Sequence, residues 1–195
     1  MPDSADERNE ISDKAVLLVM AQAIRRASSL VGIKPRSAPR LFWHDGPLAI
    51  TQHDQAGIKV LLVRGSTRFQ VMRQAGHEAV HVLAGTNESS WAYEMVAELT
   101  SLEFIKYRRE FNYLALSRAE LQRQAGAGGS LFDRPYNFGK CYRTGLALVA
   151  AMSRPHLLAL VRYAPSDDGL AEWLASLPPE EAARAQDVIS IEARS

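Results

Sequence analysis

His77-Glu78-Ala79-Val80-His81, read with the residues on either side of it, decides how this chain folds. On a helix, residues four apart lie on one face, about one turn from each other. Two imidazoles spaced in this way converge on a single tetrahedral Zn²⁺, and a glutamate beside the first of them reaches a water on that metal. The motif therefore asks for a helix, and its flanks supply one. Ile58-Lys59-Val60-Leu61-Leu62-Val63 reads as a strand, with Arg64-Gly65-Ser66 breaking it. Thr67 follows as an N-cap, with Gln70 in the capping-box position. Phe69, Met72, Gly76, Val80 and Leu83 recur at spacings of three and four and predict a buried face. Arg73, His77 and His81 form the stripe beside that face, and Gly85 stands where a C-cap glycine belongs. The expectation is a helix of roughly seventeen residues with both histidines in its second half.

A second helical pattern opens at Trp91. Trp91, Glu94, Glu98 and Ser101 share one face, and Met95, Leu99 and Leu102 line the adjoining apolar one. Two glutamates one turn apart repel mildly in an isolated helix, and a cation or an imidazolium turns that cost into attraction. A zinc site that does chemistry keeps three protein ligands and an open position for water. One of these glutamates is then the candidate third ligand. Without the upstream motif the glutamate pair reads as a solvated acidic stripe, and HExxH taken alone reads as two ordinary, partly exposed helix histidines beside a solvated glutamate.

H-E-x-x-H followed by W-x-x-E-x-x-A-E, here His77 to His81 and Trp91 to Glu98, resembles the gluzincin peptidases, in particular the peptidase MA-like group. The resemblance implies an α+β, zincin-like fold in which a small sheet packs on the metal-binding helix. It implies His77, His81 and Glu94 as Zn²⁺ ligands, Glu78 as general base, and Glu98 as a residue holding one of the histidines. Met95 stands where the family usually has Gly, and the gap from His81 to Glu94 is shorter than in many gluzincins, which keeps Glu98 as the alternative ligand. Tyr136-Asn137-Phe138-Gly139-Lys140-Cys141-Tyr142 is similar to the tyrosine- and glycine-containing helix that packs behind such sites. The resemblance spans residues 58 to 163 and is specific only at the two metal helices.

The implied activity is hydrolysis of a peptide bond in a peptide or protein substrate. Glu78 would take the proton of the attacking water, and a further donor would stabilise the oxyanion. Tyr136 is the candidate donor, with Tyr142 and His156 behind it. Two other functions share these residues: a protease dedicated to one regulatory protein, and a non-catalytic zinc-binding interaction domain. Glu78 argues against the last, because a purely structural site needs no base. In zincins the outer strand of the sheet commonly lies along the cleft, where an extended substrate pairs with it. The sequence does not say which strand that is.

Composition bounds the rest. A chain of 195 residues with 47% apolar content suits a single domain over 1–195, with 1–13 as a polar, disordered tail. A net charge of +1 with mixed signs lacks the basic excess that a nucleic-acid partner calls for. The single cysteine, Cys141, excludes an intrachain disulfide and reads as a small buried hydrophobe. No run reaches the roughly eighteen apolar residues of a membrane span, and the acidic start is unlike a secretory signal. A cytoplasmic protein is expected.

The remaining elements follow from periodicity and breakers. Residues 14 to 31 read as a helix ending near Gly32. Leu41-Phe42-Trp43 and Leu48-Ala49-Ile50 flank Asp45-Gly46, a hairpin signal, and with 58 to 63 predict a mostly antiparallel sheet of about three strands. The second metal helix is expected to run to about Tyr113. A short helix at 117 to 125, a flexible Gly126-Ser130 loop and helices at 136 to 152, 155 to 163 and 168 to 177 complete a helical C-terminal half. Pro178-Pro179 starts a last helix. His44 and His53, in or near the sheet hairpin, read as structural or exposed.

Overall fold

The computed structural model of the chain describes residues 9–87, 91–110, 112, 144, 147–148, 150–163 and 167–194, and within these the fold is α+β. Helix α1 (Lys14–Val31) begins where Asp13 Oδ1 accepts the backbone N–H of Ala15 at 2.8 Å. It ends at Gly32, whose φ of 74° is the left-handed conformation that favours glycine. Met20, Ala23, Ile24, Ala27 and Val31 form its buried stripe.

Three strands follow: β1 (Arg40–His44), β2 (Ile50–Asp54) and β3 (Gly57–Val63). Their spatial order is β1-β3-β2, with β1 parallel to β3 and β2 antiparallel to it. The expected hairpin across Asp45-Gly46 and the mostly antiparallel sheet are therefore corrected to a mixed sheet. The hairpin lies one loop later, where Asp54 pairs with Gly57 across Gln55-Ala56. Asp54 Oδ1 accepts the N–H of Ala56 at 2.8 Å, and Gly57 takes a φ of 127°. Burial explains the order. Ile58, Val60 and Leu62 of β3 are all buried, so the most apolar strand takes the centre. The polar strand Ile50-Thr51-Gln52-His53-Asp54 is left at an edge.

Helix α2 (Arg68–Ala84) has the predicted start and stop. Thr67 accepts the N–H of Gln70, the Gln70 side chain accepts the N–H of Thr67, and Gly85 closes the helix at φ 71°. Its buried surface is wider than the one face expected. Val71, Ala75, Ala79 and Val82 are buried along with Met72, Gly76, Val80 and Leu83, while Phe69 is only half-buried. The reason is position: α2 packs against α1, β2, β3 and helix α3 (Trp91–Tyr107) together.

Helix α3 stops at Tyr107, short of the expected Tyr113. Arg109 sits at φ 58°, with its N–H bonded to Lys106 O and the N–H of Glu110 bonded to Ile105 O. That is the two-bond helix stop usually made with glycine, here made by an arginine. Beyond it lie α4 (Arg154–Leu158), a 3₁₀ turn over Ala159–Arg162, α5 (Asp167–Ser176) and α6 (Pro179–Arg194). The buried carboxylate of Glu103 on α3 receives Arg26 from α1 and Arg154 from α4, tying the first half of the chain to the second. One apolar cluster runs through these elements, from Ile11 to Ala185. No helix among the described residues is long and apolar enough to cross a membrane. The expected elements between 113 and 143, including the Gly126-Ser130 loop, lie outside the described residues.

Candidate metal centre

Helices α2 and α3 run past one another in opposite directions, and the closeness of their approach makes the site. A Cβ on Gly76 would stand 2.7 Å from Ser101 Cα, so only glycine fits there. Ser101 Oγ donates to Arg73 O at 3.0 Å and closes one end of the seam. Beyond this contact His77 meets Glu98 and Glu94, and His81 meets Glu94.

The ligand-capable atoms converge. His77 Nε2 lies 3.3 Å from His81 Nε2 and 3.2 Å from Glu94 Oε2, and His81 Nε2 lies 3.6 Å from Glu94 Oε1. Taking one atom from each of His77, His81 and Glu94, all fall within 4.8 Å of one another. A tetrahedral zinc with bonds of about 2.0–2.1 Å separates its ligand atoms by about 3.4 Å. The three residues fit that cation in donor type and in spacing. The shared carboxylate spreads one oxygen to each imidazole.

Glu98 has a different place. Its Oε1 lies 3.2 Å from His77 Nδ1, on the far side of the ring from the converging atoms. Arg73 Nη2 donates to both Glu98 oxygens at 3.3 Å. A carboxylate on Nδ1 fixes the tautomer and ring orientation that present Nε2 to a metal. Burial raises the pKa of Glu98, but the hydrogen bond from His77 and the charge of Arg73 outweigh it and hold the group at about 2. Burial likewise pushes His77 down, but hydrogen bonds to Glu94 and Glu98 and their charges raise it well above the ordinary imidazole value. His81 is lowered, because burial there outweighs the attraction of Glu78 and Glu94.

Glu78 is buried on the side of α2 that faces the sheet. Thr51 Oγ1 donates to its Oε2 at 2.8 Å and lies 3.5 Å from its backbone oxygen. Two residues along β2, His53 Nε2 meets His81 O at 3.0 Å. Edge strand β2 is thus hung on α2 at both Glu78 and His81. Asn87, just past the helix, reaches the same strand: its Oδ1 accepts the N–H of His53 at 2.6 Å and its Nδ2 donates to His53 O at 2.8 Å. His53 therefore turns both backbone groups away from β3. By the alternation of an antiparallel strand, Thr51 turns its N–H and C=O the same way.

Sequence reasoning placed His77, Glu78, His81, Glu94 and Glu98 around one point; the structure brings atoms of His77, His81 and Glu94 together, sets Glu98 on His77 Nδ1, and pairs Glu78 with Thr51. Sequence reasoning missed Thr51, and it read His53 as structural or exposed without placing it against α2. The available signal was the Thr51–His53 alternation, which puts two polar side chains on the inward face of an otherwise exposed strand. Tyr136, Cys141 and Tyr142 lie outside the described residues. His156 is elsewhere, with Nδ1 at 3.0 Å from Glu181 Oε2 and 2.9 Å from Ser153 Oγ at the start of α4. Tyr93, beside Glu94, sends its hydroxyl to Val161 O and Tyr163 O. Comparison with known proteins adds no relative: no family model, no curated protein and no solved structure matches this chain.

Proposed function

We propose that this chain is a zinc-dependent metallopeptidase of gluzincin type. The observation that carries the reading is the convergence of His77 Nε2, His81 Nε2 and a Glu94 oxygen at separations of 3.2 to 3.6 Å, with a buried glutamate beside the first histidine. A site built for structure alone closes its coordination with a fourth protein ligand and needs no base. Among the described residues the group of potential ligands has three members, His77, His81 and Glu94, and Glu78 follows the first of them in the chain.

Bound zinc would supply Lewis acidity, lowering the pKa of a coordinated water and polarising the substrate carbonyl. The residues do the rest. Glu78 takes the proton from the attacking water and passes it to the departing amide nitrogen, which leaves as an amine. Glu98, backed by Arg73, keeps His77 oriented. The outward N–H and C=O of Thr51 offer an extended chain one backbone pair beside the base, as edge strands do when they take up peptides. That favours a peptide or protein as substrate over a small molecule.

The test begins with metal stoichiometry by plasma mass spectrometry on wild type, Glu94→Ala and Glu98→Ala. The reading expects about one zinc per chain, kept at saturating zinc in Glu98→Ala and lost in Glu94→Ala. Wild type and Glu78→Gln are then compared on a degenerate peptide library. Cleavage by wild type and none by Glu78→Gln supports hydrolysis through Glu78. Zinc bound without cleavage by either protein would leave a binding domain, and no zinc in any variant would end the metal reading altogether.

A further inference from the structure

The contact between Thr51 and Glu78 joins residues 27 positions apart. A carboxylate at the end of a glutamate turns about a broad, two-fold torsion, so its own rotamer does not settle which oxygen faces a reactant. An ionised carboxylate only accepts, and a threonine hydroxyl has one proton to give. At 2.8 Å that proton is committed to Oε2, which leaves Oε1 as the oxygen to receive another. The hydroxyl is itself held. Thr51 is β-branched, stands in register with buried Val60 of β3, and belongs to a strand anchored again two residues later by His53 on His81 O.

We propose that Thr51 is the positioning residue for Glu78, locking one carboxylate oxygen so that the other faces the water to be deprotonated. The proposal rests on the hydrolase reading above. It also gives the edge strand a second task. The residue whose backbone faces an incoming peptide is the residue whose side chain aims the base, so the substrate main chain and the carboxylate take their positions from one Cα. A peptide seated out of register on β2 then meets a base set for another geometry.

The test compares Thr51→Val, which keeps the shape and removes the hydroxyl, with Thr51→Ser, which restores it. Zinc content is measured in both, and kinetics use the first library peptide that wild type cleaves. Thr51→Val is expected to lose about 10- to 100-fold in kcat with KM within about twofold, the pattern of an interaction made only in the transition state. Thr51→Ser is expected to recover to within about threefold of wild type, because the donor returns. A readout without turnover accompanies this: the Glu78 carboxyl carbon resonance in ¹³C-glutamate protein, identified by its absence in Glu78→Gln. It should move in Thr51→Val and return in Thr51→Ser.

An unmoved resonance, an unchanged kcat in Thr51→Val, or equal losses in both variants would each overturn the proposal. Loss of zinc from Thr51→Val would do so too, because the threonine would then support the metal rather than the base. The two readings fail separately. If Glu78→Gln is inert while Thr51→Val is as fast as wild type, only the role of Thr51 falls. If wild type cleaves no peptide, the hydrolase reading falls and takes the kinetic role of Thr51 with it.

Discussion

Replacing Gly76 with alanine adds one methyl group where α2 passes tightly against Ser101 of α3. The new Cβ would stand 2.7 Å from Ser101 Cα, and ordinary contact begins near 3.4 Å. The atom it meets is backbone, so no side chain can swing aside, and α3 must retreat by about 0.7 Å. Metal–ligand distances tolerate about 0.2 Å. The retreat therefore exceeds what the Glu94 bond can absorb, although Gly76 touches no ligand atom. For the metal-free fold two effects oppose. Alanine gains about 1 kcal/mol of helix propensity over glycine, and overpacking costs about 1–3 kcal/mol. The net loss without metal is then about 2 kcal/mol at most. Zinc affinity should fall at least about 100-fold, beyond the cost of losing a partner of a ligand. At saturating zinc that removes about 2.7 kcal/mol of the stability zinc confers, or roughly 5–10 °C of melting temperature at this chain length. Thermal melts of wild type and Gly76→Ala, each in chelator and in zinc, separate the two effects. A full zinc increment in Gly76→Ala would show that the helix seam does not set the ligand spacing, and would refute the reasoning.

Four further outcomes follow from the geometry. Glu98→Ala should bind one zinc at saturation but about 10- to 100-fold more weakly in chelator competition, because His77 loses the group that orients it. In metal-free protein His77 titrates well above the ordinary imidazole value, so at neutral pH zinc must displace its proton. Isothermal titration in buffers of different ionisation enthalpy should find about one proton released per zinc near pH 7, and affinity that rises with pH up to the raised value. Glu98 is depressed in the fold to about 2, so its stabilising contribution is present above the unfolded carboxylate value and drains as pH falls. Denaturant melts of metal-free wild type should weaken from about pH 5 down to pH 2, and Glu98→Gln should flatten that slope. Thr67→Ala removes the capping-box acceptor at the start of α2 and should cost about 1 kcal/mol in urea unfolding.

Local signals carried α2 well and the sheet poorly, for a physical reason. Thr67, Gln70 and Gly85 each act within four residues of the helix end they set, so a linear reading finds them. Strand order is a competition among distant segments for the buried central place. Ile58, Val60 and Leu62 win it, and no turn signal announces the result. Asp45-Gly46 looked like the hairpin because Gly commonly supplies the unusual backbone angle inside such turns. The real turn at Gln55-Ala56 has no glycine within it, and uses the Asp54 side chain together with Gly57 just outside. The convergence of His77, His81 and Glu94 was legible because HExxH and the Glu94–Glu98 pair each fall on one helix. Thr51 was not, since its importance appears only once β2 lies across α2.

An open strand edge attracts copies of itself, and a chain that offers one beside a reactive site risks stacking into sheets. The carboxamide of Asn87 changes that balance. Within β2 the backbone pairs turned away from β3 belong to Thr51 and His53, and Asn87 already holds both groups of His53. Among the described residues a visiting copy therefore finds a single open rung on β2, too little to nucleate an intermolecular ladder. A flexible peptide needs no more than that rung, because its second anchor would be the metal. Removing the carboxamide would lengthen the sticky edge, so solubility, rather than chemistry, is the property that Asn87 guards.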